Sequence, residues 1–442
     1  MPTQTPTPAP TPMPTPSPTP MPTPSPTPTP TQEQPTHVVV VIQENRTLDN
    51  LFNGFKGADT VRFGMRGTTN VALAAVPMRT KFDLCHKHTC FVQDFDGGKV
   101  DGFDTNLGCA PQCVGGQTAY SYVQPRFTAT YWQIASQFAL ADETFEGLQG
   151  PSYPAHQYLI AGQSGRPRSI SENTGNLGGG CPQAKGVVAL TIDTSQPYPS
   201  PEGYPIHPCM DYRTIFDEFD SAGVSWRYYT PKVNFLWTAP EGVSHLAFGP
   251  DAAKIVTPET AFLSDAVAHQ LSQVSYVVPR QANSDHPKMT TNFGGPNWVG
   301  TIVNTIESDP YYSGNTVIFI VWDDWGGWYD HEPPATNDSY EYGFRVPLLV
   351  VNPYVVRAVS HTKRNFVSIL TFMERLYGLP SLGTEDAQTD DLFSMFAFGG
   401  QNRWRHSVRP AFEPVFTNGK TWRDYVGLGA DLQPPESEPG DE

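Results

Sequence analysis

The chain has 442 residues, 38% of them apolar and 12% aromatic, and carries a formal charge of −16 at neutral pH. That composition supports a substantial buried core and argues against disorder over most of the chain. The negative charge repels nucleic-acid phosphates, which excludes nucleic acid as a partner, and it does not favour general adsorption to anionic membranes.

Residues 1–36 alternate Pro with Thr or Ser. Such a segment is expected to be a disordered, extended linker, either a stalk for an exported domain or a tail without a role. The catalytic domain is expected over 37–424, with a loose acidic tail at 425–442. His37-Val-Val-Val-Val-Ile42 opens it as a strand buried on both faces. Val274–Val278 reads as a weaker strand, and Val317–Trp322 and Val346–Val351 (Pro347 near its start) as two more. Residues 296–308 and 363–377 place apolar side chains at helical spacing, and Gly378-Leu-Pro380 stops the second. Strands alternating with helices predict an α/β fold, a doubly wound, mostly parallel sheet with helices on both faces. Residues 53–125 and 165–210, rich in Gly, Pro and Cys, read as long insertions over the active-site edge.

No run reaches the ~18–20 apolar residues of a transmembrane segment. Cys85, Cys90, Cys109, Cys113, Cys181 and Cys209 contain no CxxC pair. Disulfides are therefore expected rather than zinc, with Cys181 joined to Cys209 and the other four paired locally. They imply an oxidising compartment and a secreted or cell-surface protein, although no signal peptide is legible where Met1 runs into proline. Nothing in the sequence sets an oligomeric state.

In open α/β sheets, functional residues follow the carboxyl ends of the strands. The first strand is followed by Glu44-Asn45, and the Val317 run by Asp323-Asp324-Trp325-Gly326-Gly327. Neighbouring desolvated carboxylates repel, and a divalent cation compensates them directly. Oxygen ligands suit Ca, Mg or Mn, and a mixed oxygen and nitrogen set also admits Fe or Zn. The paired glycines let the backbone approach an anion closely.

Glu44-Asn45-Arg46-Thr47-Leu48-Asp49 resembles the ENRxFD signature of the bacterial phosphoesterase family that contains phospholipases C and an acid phosphatase, with Leu48 for its usual Phe. Lys99-Val-Asp-Gly-Phe103, Asp323 to His331, Gly343-Phe-Arg-Val-Pro347, and His361-Thr362 followed by Gly378-Leu-Pro380 resemble its GKMDGF, DDxGGxxDH, GxRVP and HTS…GLP blocks, in order. The resemblance implies an alkaline-phosphatase-like core. It also implies one divalent metal held by Glu44, Asn45, Asp323 and Asp324, and a Ser or Thr nucleophile. Gly150-Pro151-Ser152-Tyr153-Pro154 is similar to the family's GP[ST]xP motif, which makes Ser152 the nucleophile. A helix N-terminus there would favour a bound anion. No GxSxG elbow is present, which disfavours a carboxylesterase.

His86 in Asp83-Leu-Cys-His86 and His286 in Asp285-His286-Pro287 resemble the family's DxxH and EHP, and with His331 they are the expected catalytic imidazoles. His88, His156 and His361 are expected to contact substrate. The implied reaction is hydrolysis of a phosphoester, as a phospholipase C acting on phospholipid or as an acid phosphatase acting on monoesters. Trp325, Trp328 and Tyr329 offer either an aromatic cage for a head group or ordinary core. A reading from another class is a non-catalytic surface-displayed binding protein, which predicts no metal and no turnover.

Overall fold

The computed structural model describes residues 34–105, 117–165, 178–193, 202–335 and 342–397, with Met1, Ile170 and Asn173. Most of the expected linker, the end of the expected catalytic domain, the acidic tail, Cys109 and Cys113 lie outside the described residues.

The strands of the central sheet, in chain order, are β1 (His37–Gln43), β2 (Ala139–Ala141), β3 (Trp226–Tyr229), β4 (Ile255–Val256), β5 (Val274–Val277), β6 (Thr316–Trp322), β7 (Leu348–Val351) and β8 (Val359–Ser360). Their spatial order is β4-β3-β5-β1-β6-β7-β2-β8. The valines of β1 and every residue of β6 are buried, as β-branched strands covered on both faces should be. Pairing is parallel from β4 through β6 and again between β2 and β8. β7 runs against both of its neighbours. The described part of the connection from β6 to β7 contains no helix, and a parallel return would need such a crossover. The helices pack in two sets. Pro125–Gln137 and Ala261–Val267 meet Gly294–Glu307, whereas Ile215–Ala222 and Ser368–Tyr377 meet Ser152–Ala161.

Two elements depart from expectation. The helix expected over 363–377 begins at Ser368, because Arg364–Asn365 forms a short strand beside Thr144–Phe145. The strand expected from Val346 begins at Leu348.

Register positions the site. β1 and β6 are paired residue by residue and end with Gln43 beside Trp322. Glu44-Asn45 and Asp323-Asp324 therefore leave the sheet side by side. β5 flanks β1 on the other side, with Val277 beside Val41. The segment after it returns to the same edge, where Ser284 O accepts from Glu44 N at 2.8 Å.

The insertion before residue 125 builds a second core. Phe91, Phe95, Phe103 and Tyr120 pack there with Trp325, Trp328, Tyr329 and Phe344. Trp325 and Trp328 are completely buried and Tyr329 is 2% exposed, so all three are core and not a cage. Disulfides join Cys181 to Cys209 and Cys85 to Cys90, as expected.

Candidate active site

Two loops lock together at the sheet edge. Asn45 adopts a left-handed conformation (φ +61°), which Asn tolerates better than most residues. Its backbone N–H donates to Asp323 Oδ1 at 2.8 Å. Its Nδ2 donates to both oxygens of Asp324, at 2.8 and 2.9 Å. Gly326 N–H donates to Asp324 Oδ1 at 2.7 Å. Gly326 is also left-handed (φ +64°), and a Cβ there would lie 2.2 Å from Asn45 O. Only glycine fits where the two loops touch.

The Ser152–Ala161 helix closes over these loops. Ser152 is its first residue, and its Oγ donates to Asp324 Oδ2 at 2.9 Å. His156 follows one turn later on the same face. Its Nε2 lies 2.9 Å from Glu44 Oε1 and 3.6 Å from Asp323 Oδ2, with all three side chains fully buried. Burial raises Glu44 and Asp324 well above the usual carboxylate range, and the charge of Asp323 adds to both shifts. Burial lowers His156 to about 4, leaving a neutral imidazole.

The donor set fits a cation. Glu44 Oε2, Asn45 Oδ1 and Asp323 Oδ2 are buried and have no hydrogen-bond partner among the described residues. Glu44, His156 and Asp323 each offer a donor atom within 4.8 Å of the others, so this cluster could hold a metal ion. A cation there would let the carboxylates remain ionised in a site without water.

A cavity of about 130 Å³ opens onto Ser152, lined by His86, His286, Asp83, Phe235, Leu236 and Trp237 among others. The His86 and His286 rings are 5.7 Å apart. Each Nδ1 faces a backbone carbonyl at 2.8 Å, Leu84 O for His86 and Pro287 O for His286. A carbonyl only accepts, so each Nδ1 carries the hydrogen and Nε2 is left for the cavity. Burial lowers the His286 pKa. Among the described residues, none that lines this cavity is Lys or Arg.

The model of the family described as Phosphoesterase matches residues 36–380. The chain belongs to the Phosphoesterase family. It is 24% identical over 428 residues to the non-hemolytic phospholipase C of Pseudomonas aeruginosa, covering 83% of this chain and 58% of that protein. It thus spans little more than half the length of that relative. Phospholipase C B of Mycobacterium tuberculosis is 24% identical over 439 residues, covering 82% and 77%. Non-specific phospholipase C1 of Arabidopsis thaliana is 22% identical over 396 residues, covering 78% and 67%. A solved protein of the alkaline phosphatase superfamily from Vibrio parahaemolyticus matches with a TM-score of 0.38 at 11% identity, covering 82% and 70%.

The chain thus gathers Glu44, Asn45, Asp323, Asp324, Ser152, His156, His86 and His286 at one sheet edge. Three expected residues are engaged elsewhere. His331 Nδ1 bonds Asp49 at 2.6 Å, within a buried network that includes Arg345 and Asp330. Burial opposes its charge, but Asp49 and Asp330 together outweigh burial and raise its pKa to about 9. His88 Nδ1 lies 2.6 Å from Gln149 O. His361 Nδ1 bonds Asp142 at 2.9 Å, with its side chain 60% exposed.

The sequence reading overlooked Trp237, which stacks on His286 with ring centres 6.2 Å apart. It also overlooked Glu146, fully buried and pushed well above the carboxylate range by burial and by Asp324 and Asp323. Asp285 was noted as part of a motif, without a role. It accepts from Tyr131 Oη at 2.6 Å and Trp322 Nε1 at 3.2 Å, fixing the turn that presents His286. Its position beside His286 was the one available signal.

Proposed function

We propose that this phosphoesterase is a phosphoric ester hydrolase of the phospholipase C type, with Ser152 as nucleophile and one divalent ion at the acidic cluster. The observation that carries this reading is the 2.9 Å contact of Ser152 Oγ with Asp324, in the buried acidic cluster and beside the cavity of His86 and His286. Glu44, Asn45, Asp323 and Asp324 would hold the ion. When bound, it supplies positive charge that acidifies a nearby hydroxyl and offsets phosphate charge.

The residues of the chain do the rest. Asp324 accepts from Ser152 and so orients Oγ. Oγ passes the proton it shares with Asp324 to that carboxylate as it attacks phosphorus and the bond from phosphorus to the alcohol oxygen breaks, and it recovers the proton when it later leaves phosphorus. A protonated imidazole then gives its Nε2 proton to the departing alcohol. Burial holds His286 toward its neutral form, so we assign the donor's part to His86, whose Nε2 is also left for the cavity. His286 is correspondingly suited to take a proton from the water that next displaces Ser152 from phosphorus. Among the described residues no Lys or Arg lines the cavity, so of these it is the imidazoles, with the ion, that would meet phosphate charge there.

The named relatives favour a phospholipid substrate. The small cavity favours a second reading, a phosphomonoesterase, since about 130 Å³ holds a phosphoryl group and a compact alcohol, with lipid chains left outside. The disulfides support a location outside the cytoplasm. No helix among the described residues is long and apolar enough to cross a membrane.

The test is turnover of a choline phospholipid and of an aryl monophosphate, for wild type and Ser152→Ala. The expected result is phospholipid hydrolysis that falls by about 10³-fold or more in the variant, with metal content unchanged. Wild-type rates in Ser152→Ala would overturn the nucleophile. Preference for the monophosphate would select the second reading.

A further inference from the structure

We infer that His156 is itself a ligand of the metal, so that the site presents one imidazole nitrogen among its carboxylate and amide oxygens and selects zinc or another transition ion over magnesium or calcium. This deepens the proposed function and rests on its metal reading.

The argument is geometric. Ser152 and His156 are four residues apart on one helix, so both project from the same face onto the same loops. Ser152 meets the outer carboxylate, Asp324, at 2.9 Å. His156 reaches the inner pair, 2.9 Å from Glu44 Oε1 and 3.6 Å from Asp323 Oδ2. The 3.6 Å contact is too long for a hydrogen bond. It does match the separation of two ligands on one ion, since donors held ~2.0–2.2 Å from a tetrahedral ion lie ~3.4 Å apart. Asp323 Oδ2, Glu44 Oε2 and Asn45 Oδ1 are all buried and have no hydrogen-bond partner among the described residues. A hydrogen bond from His156 to Glu44 would satisfy one carboxylate oxygen, whereas an ion among donor atoms that all lie within 4.8 Å of one another would meet Glu44, Asp323 and His156 together. His156 Nδ1 has no partner among the described residues in either role, so it does not choose between them.

The ligand set changes metal choice. Oxygen donors alone suit magnesium, calcium and manganese, whereas imidazole suits zinc, copper, iron or nickel.

The full chain, stripped with a chelator, is titrated with zinc and with magnesium, and X-ray absorption is recorded at the zinc edge. The expected result is preference for zinc, with the scattering signature of one coordinated imidazole. His156→Gln should lose that signature and bind zinc about 10–100-fold more weakly, with magnesium affinity little changed. Zinc bound by wild type without an imidazole signature overturns the inference alone. A chain that takes up neither ion overturns the metal reading and this inference with it.

Discussion

Asn45 makes its contacts from a single strained backbone position. Its Nδ2 holds Asp324, its N–H holds Asp323, and its Oδ1 stays without a partner in the buried cluster. Asn45→Asp should therefore be worse than a simple loss, because it adds a fourth carboxylate and removes the donor to Asp324. Metal affinity measured by titration should fall by about 10–100-fold; unchanged affinity would remove Asn45 from the ligand set. His331 carries a pH effect. Its folded pKa, about 9, lies above the unfolded value, about 6.5. The protonated form is favoured in the folded state, so the contribution is complete below about pH 6.5 and is lost as pH rises through about 9. Wild-type stability to urea should decline across that window, and His331→Gln should flatten the decline. Parallel curves for the two proteins would show that the Asp49 pair does not contribute. At this scale the acidic pairs were legible, because both follow strands of unmistakable β-branched character. Glu146 and Trp237 were not, because their place depends on contacts between distant segments, and neither stands in a pattern of its own.

At the scale of elements, the site rests on the register of β1 with β6 and on the glycine between their loops. Gly326→Ala meets two costs, a left-handed backbone and a Cβ 2.2 Å from Asn45 O. Gly223, which ends the Ile215–Ala222 helix at φ +71° with open space around it, meets only the first. Gly223→Ala should cost about 1–2 kcal/mol in urea denaturation. Gly326→Ala should cost more and also lose metal, and equal costs would mean that the contact between the loops is not tight. The Cys85–Cys90 loop is held against the same region, since a Cβ on Gly327 would lie 2.6 Å from Cys85 O. The four main strands and two helices could be read from apolar runs and helical spacing. The reversal of β7 could not, because direction depends on how the chain returns and not on the strand's own residues. The short strand at Arg364–Asn365 was hidden likewise, since its partner, Thr144–Phe145, is far away in sequence.

For the molecule as a whole, one central sheet brings residues 44, 152, 286 and 324 to a single edge, and family membership accounts for the order of the motifs that carry them. The insertion over 53–125 reads in the sequence as a long excursion over the active-site edge. It builds a second aromatic core together with the Asp323 loop, which is why Trp325 and Trp328 face inward. Phe91, fully buried among Phe95, Trp325 and Phe344, is the test of that core. Phe91→Ala should cost about 3–5 kcal/mol and weaken metal binding at a distance. The central claim is a metal-dependent reaction that begins at Ser152. The most direct measurement is the rate of phospholipid hydrolysis as stripped protein is titrated with metal, wild type beside Ser152→Ala. The account predicts activity that rises in proportion to bound ion and saturates at one ion per chain, with the variant binding the same ion and remaining inactive. Full activity in metal-free protein, or in Ser152→Ala, would contradict it.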